Sequence, residues 1–105
     1  YPPYNIYTDA TDIPTIEMSV TGFSKEDLEV EYHADEGELL VRGTHTEENK
    51  DEGKSYSYRG LSTKNFTRIF TVNGNLEVDD IVMDKGLLTI TFKRNEAKKI
   101  SYTIK

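Results

Sequence analysis

Leu88-Thr89-Ile90-Thr91-Phe92-Lys93 alternates apolar and polar residues without a break. Successive side chains of a β-strand point to opposite faces, so Leu88, Ile90 and Phe92 would share one side of a sheet, with two threonines and a lysine on the other. The same period returns in Thr15-Ile16-Glu17-Met18-Ser19-Val20-Thr21, where Ile16, Met18 and Val20 fall on one face, and in Glu29-Val30-Glu31-Tyr32. Leu39-Leu40-Val41-Arg42 is a shorter apolar run, and Phe66-Thr67-Arg68-Ile69-Phe70-Thr71-Val72 carries apolar groups on both faces. Thr21-Gly22, Glu36-Gly37, Asn73-Gly74-Asn75 and Asp84-Lys85-Gly86 punctuate these runs as turns. No long stretch bears a helical stripe. Ser24-Lys25-Glu26-Asp27 has the spacing of a capping box but room for a single turn. Short alternating strands divided by turns predict an all-β sandwich, and Ile16, Met18, Val20, Leu88, Ile90 and Phe92 are its expected core.

The chain has 105 residues, enough for one domain with one core. No apolar run approaches the roughly 20 residues of a membrane-spanning helix. The first residue is Tyr1 and nothing resembles a signal peptide, which leads us to expect a processed chain with a missing N-terminal segment. There is no cysteine, which removes disulfides and thiolate metal sites and favours the cytoplasm. The net charge of -6 is unevenly spread: residues 1–52 hold 14 acids and 3 bases, whereas residues 53–105 hold 10 bases and 5 acids. Such polarity can draw neighbouring subunits together head to tail, although ordinary solvated surface explains it as well. An acidic total argues against nucleic acid as the main partner.

Two segments stand apart. Residues 46–54 (TEENKDEGK) are polar and charged, and lead into Tyr56-Ser57-Tyr58, a short aromatic strand candidate. Residues 94–99 (RNEAKK) form a polar linker to a second alternating strip, Ile100-Ser101-Tyr102-Thr103-Ile104. An apolar strip beyond a linker reads as an arm that docks elsewhere.

Catalytic chemistry finds no support. His33 and His45 are the only histidines. His33 with Asp35 and Glu36 could hold a metal weakly, but a polar strand-end residue is the plainer reading, since metal sites usually need three or four ligands. No nucleophile elbow and no glycine-rich phosphate loop occurs. Adjacent acids such as Glu47-Glu48 and Asp79-Asp80 point apart in extended chain and read as solvated charges. We therefore expect no catalytic residue, no metal and no cofactor.

Several motifs, taken in order, resemble the α-crystallin domain of the small heat-shock protein family, with the bacterial inclusion-body-binding members most similar. Tyr1-Pro2-Pro3-Tyr4-Asn5-Ile6 looks like the start of that domain, and Gly22-Phe23-Ser24-Lys25-Glu26-Asp27-Leu28 like its turn into a strand. Leu39 to Gly43 and Asn65 to Phe70 with its Phe-x-Arg-x-Phe resemble two further strands, and Ile81 to Leu88 falls on the family's Ala-x-x-x-Asn-Gly-x-Leu signature. In the last of these, Ile81 stands where the family has a small Ala and Lys85 where it has Asn. The terminal strip resembles the family's Ile-x-Ile, with Tyr102 interposed.

The resemblance implies an immunoglobulin-like antiparallel β-sandwich over residues 1–93 and a C-terminal extension over 94–105. It implies a dimerisation loop at 46–60, whose short strand joins a partner's sheet. Tyr56, Tyr58, Arg59 and Arg68 would then lie at the dimer interface, with Arg68 pairing an acid across subunits. Ile100, Tyr102 and Ile104 would be the docking strip, and Leu28, Val30, Val78 and Val82 the receiving groove. Local pairing of Arg68, a surface hairpin at Tyr56, a final strand at 100–104 and plain core for the groove residues are the competing readings. The implied function is an ATP-independent holdase for unfolding client proteins, assembled as a homodimer within a larger oligomer. Two other classes compete. A CS-domain-like co-chaperone would lack the long loop and the terminal strip. The other is a structural or carbohydrate-binding sandwich, whose sugar site would want exposed Trp or clustered Tyr on a concave face, and the chain has no Trp.

Overall fold

The computed structural model describes residues 1–45, 53–61, 64–95 and 101–105. Within them seven strands run in order: β1 (Tyr4–Thr8), β2 (Pro14–Ser19), β3 (Leu28–His33), β4 (Glu38–Gly43), β5 (Phe66–Thr71), β6 (Leu76–Asp84) and β7 (Leu87–Arg94). They form two antiparallel sheets, one ordered β1-β2-β7-β6 and the other β3-β4-β5. The expected all-β sandwich is what the chain builds.

The alternation sets the core. Ile16 lies opposite Ile90 and Met18 opposite Leu88, and all four are buried. Leu39 and Val41 of β4 face them from the other sheet with Phe66 and Phe70 of β5, while Thr67, Ile69 and Thr71 look outward. Burying each large apolar side chain contributes roughly 1.5–3 kcal/mol, and this interior is the main source of the sandwich's stability.

Three local devices hold the layers in place. The turn between β6 and β7 has two residues, Lys85 at φ 50° and Gly86 at φ 77°. Positive φ at both central positions marks the turn type whose twist matches a hairpin. The Val20 amide donates to the Gly86 carbonyl at 2.8 Å, which ties the end of β2 to this turn. A single 3-10 turn at Lys25–Asp27 carries the chain from one sheet to the other, and the Ser24 amide donates to the Asp27 carboxylate at 3.0 Å. Tyr32 of β3 reaches across the layers, its hydroxyl donating to the Leu76 carbonyl at 2.6 Å and its ring meeting Phe92 edge-on.

β6 is not a regular strand. Val78 pairs with Phe92 but Asp80 with Thr91, so Asp79 is an extra residue in a bulge. An inserted residue reverses the inside–outside phase of the strand beyond it. Past the bulge Ile81 and Met83 turn toward the core side, opposite Ile90 and Leu88, and Val82 turns away opposite Thr89.

Candidate functional site

Both sheets end in open strands, and two of these edges face each other. β3 bounds one sheet and β6 the other. Between them lies an apolar groove of about 330 Å³, lined by Lys25, Leu28, Val30, Ile81, Met83 and Leu88. Leu28, Val30 and Met83 are half-buried against the core, whereas Ile81 remains 41% exposed. The groove is apolar at its floor because period-two alternation turns every second residue of each edge strand inward.

Two of the four residues expected in this groove line it, Leu28 and Val30. Val78 does not: it lies before the bulge and packs partly buried against the core. Val82 does not either, because the extra residue at Asp79 turns it to the opposite face, where it is half exposed. Ile81 and Met83 take their places, and Lys25 from the 3-10 turn stands at the groove. The alternation could not reveal Ile81 and Met83 in advance, since a bulge is an event of the backbone and leaves no single-residue signature, and Lys25 stands on a turn outside any alternating strand.

The terminal strip makes no strand with its own sandwich over residues 101–105. Tyr102 is 84% and Ile104 95% exposed, while Ile100 lies outside the described residues. Groove and strip are thus two apolar surfaces, both open to solvent.

The loop region is described from residue 53 to residue 61. Tyr56, Ser57 and Tyr58 form no strand within their own chain, and Tyr58 is 85% exposed. The Arg59 guanidinium lies over the Tyr56 ring, 4.8 Å from its centre. Further along, Gly60 and Leu61 help line a smaller hollow with Tyr1, Pro3, Ser19 and Thr21.

Arg68 lies on the inner side of β5, as its place between Phe66 and Phe70 requires. Its guanidinium sits 4.8 Å from the centre of the Tyr4 ring, and that ring meets Phe70 edge-on. The buried Arg68 Nε has no hydrogen-bond partner among the described residues. Next to it Lys64 stands over the Tyr1 ring, which in turn meets Phe66. Aromatic groups from the segment entering β1 therefore cover the basic and aromatic side chains of β5, a contact that β-periodicity does not forecast.

The histidines take structural positions. His33 Nε2 lies 3.1 Å from Glu31 Oε2, and this hydrogen bond is the largest influence holding the Glu31 carboxyl below the usual carboxylate range. The His45 ring stacks on Phe23 and its amide donates to Asn65. Among the described residues no three His, Asp or Glu side chains gather as a metal would require. No helix of the described residues is long and apolar enough to cross a membrane.

Comparison with known proteins agrees with this architecture. Residues 8–105 match the model of the Hsp20/alpha crystallin family. The small heat shock protein IbpA of Escherichia coli is 36% identical over 101 residues, which span 94% of this chain and 71% of that protein. A small heat shock protein from Synechococcus phage S-ShM2 superposes with a TM-score of 0.75 at 29% identity, over 99% of both chains. A C-terminally truncated form of AgsA from Salmonella typhimurium superposes with a TM-score of 0.78 at 25% identity, over 99% of this chain and 98% of that one.

Proposed function

The chain belongs to the Hsp20/alpha crystallin family of small heat-shock proteins, holdase chaperones, and from that premise we propose that the β3–β6 groove serves two occupants in turn. One is the apolar strip of a neighbouring subunit, and the other is an exposed apolar segment of an unfolding client. The observation that carries this reading is the pairing of two unmatched surfaces: an open apolar groove, with Ile81 41% exposed, and a strip whose Tyr102 and Ile104 are almost wholly exposed. Burial of each large side chain is worth roughly 1.5–3 kcal/mol, less the entropy of ordering the arm. Such a contact is strong enough to link subunits and weak enough to open on heating. Arg94 ends β7 and the Asn95 amide donates to the Asn75 carbonyl at 2.6 Å, so the expected linker shortens to residues 96–99, a length of roughly 14 Å when extended, which lets the strip leave its own sandwich.

The same reading assigns the loop 46–60 to dimerisation. β1 is an open edge of its sheet, with Ile6 and Tyr7 half exposed, and an added strand from a partner's Tyr56–Tyr58 would cover it. Arg68, with its Nε left over beside that edge, suits an acid supplied across the interface. Capture of this kind consumes no nucleotide and makes no covalent bond, so we assign the chain no catalytic role and no cofactor. We place its work in the cytoplasm, on proteins and not on nucleic acid.

Replacing Ile100 and Ile104 together by Ser tests the groove reading. The variant should keep a folded dimer while light scattering reports a smaller assembly. An unchanged large assembly would show that the strip plays no part in linking subunits.

A further inference from the structure

The side chains that alternate with the groove floor are acidic. On β6, exposed Asp80 and Asp84 flank Val82 and take turns with Ile81 and Met83. On β3, exposed Glu29 and Glu31 take turns with Leu28 and Val30. Glu29 is met by Arg42 at 3.1 Å and Glu31 by His33 at 3.1 Å. Among the described residues no cation pairs with Asp80 or Asp84. The β6 side of the groove therefore carries two acids with no counterion from the described part of this chain.

We propose that this acidic rim selects the groove's occupants by charge, favouring apolar client segments flanked by lysine or arginine over those flanked by acids. The inference rests on the groove reading above and adds the chemical class of the client. Among the described residues β6 pairs with one strand alone, β7, so its other edge can accept an extended segment as an added strand, which would compete with the Asp80 carboxylate for the Ile81 amide that now donates to it at 2.9 Å. A segment that turns its apolar residues toward Ile81 and Met83 must turn the alternating ones toward Asp80, Val82 and Asp84.

The chain's own strip has the matching chemistry. Lys98 and Lys99 precede it and Lys105 comes after it. With Ile104 set antiparallel opposite Ile81, and Tyr102 opposite Met83, Lys105 stands opposite Asp80. Lys99 then lies diagonal to Asp84, within reach of a long side chain. Unlike charges in such cross-strand pairs attract, and like charges repel by a similar amount. Exchanging two flanking lysines for two glutamates should therefore weaken binding roughly tenfold at low salt. Salt at about 1 M, with a screening length of roughly 3 Å, should close most of that gap.

The test uses the full chain carrying Ile100→Ser and Ile104→Ser, so that its own strip does not compete. Three labelled peptides with the core Ile-Ser-Tyr-Thr-Ile, flanked by Lys, by Ser or by Glu, are titrated by fluorescence anisotropy. The expected order is Lys over Ser over Glu, with roughly tenfold between the extremes. Asp80→Asn with Asp84→Asn should bring the three together. Equal affinities in the acidic protein would overturn charge selection and leave the groove reading standing. Failure of all three peptides to bind would overturn both.

Discussion

A Cβ at position 43 would collide with the Phe66 ring and stand 2.9 Å from Phe23. Gly43 lies between Leu28 and Phe66 in the register of its sheet, where the two phenylalanine rings meet edge-on. Neither ring can retreat without disturbing the core, and overpacking of this kind typically costs about 1–3 kcal/mol. Gly43→Ala should therefore lower the chemical denaturation midpoint by an amount in that range, with the slope unchanged. Lys85 is the opposite case. It holds φ 50° in a two-residue hairpin turn, a conformation that Asn adopts more readily than Lys. Lys85→Asn should raise stability by about 0.5–1 kcal/mol, read as a higher melting temperature, and an unchanged or lower one would mean that other contacts hold the turn. The Asp84-Lys85-Gly86 turn was legible in the sequence because turn chemistry is local. The crowding at Gly43 was not, because both of its neighbours come from elsewhere in the chain.

At the scale of the element, strands β2, β3 and β7 were legible as alternation, since burial of one face imposes a period of two on the residues themselves, while β4 shows in the sequence as a short apolar run and β5 as a run apolar on both faces. β6 was harder. Its bulge at Asp79 shifts the phase, so a reading by position places Val78 and Val82 in the groove where the fold puts Ile81 and Met83. The aromatic cover of β5 by Tyr1 and Tyr4 was equally hidden, because it joins segments that the sequence keeps far apart. The loop is legible only in part: its polar composition marks it as a loop, while the strand we propose it pairs with would belong to another subunit. Tyr56 and Tyr58 are exposed and without a strand in their own chain, as an exchanged strand would be before pairing. Deletion of residues 50–58 should leave the sandwich folded and yield a monomer in sedimentation. A deleted protein that still sediments as a dimer would remove the exchange from the account.

For the whole molecule, one buried core supports four open strand edges among the described residues, and two of these frame an apolar groove. Exposed edges are an aggregation hazard in most sandwiches. Under the reading proposed above, the same edges are the working surface, shared between assembly and capture. The groove's acidic rims, Glu29 and Glu31 from the acidic first half and Asp80 and Asp84 from the basic second half, are opposite in sign to the lysines that flank the terminal strip. The most direct test of this account is the light scattering of a heat-denatured client with no nucleotide present, comparing the native chain with Ile81→Glu. Ile81 is 41% exposed, so a charge there should leave the fold intact by circular dichroism while it fouls the groove. The native chain should hold the client in solution, and Ile81→Glu should let scattering rise. Equal protection by a folded Ile81→Glu variant, or no protection by the native chain, would contradict capture in the groove between β3 and β6.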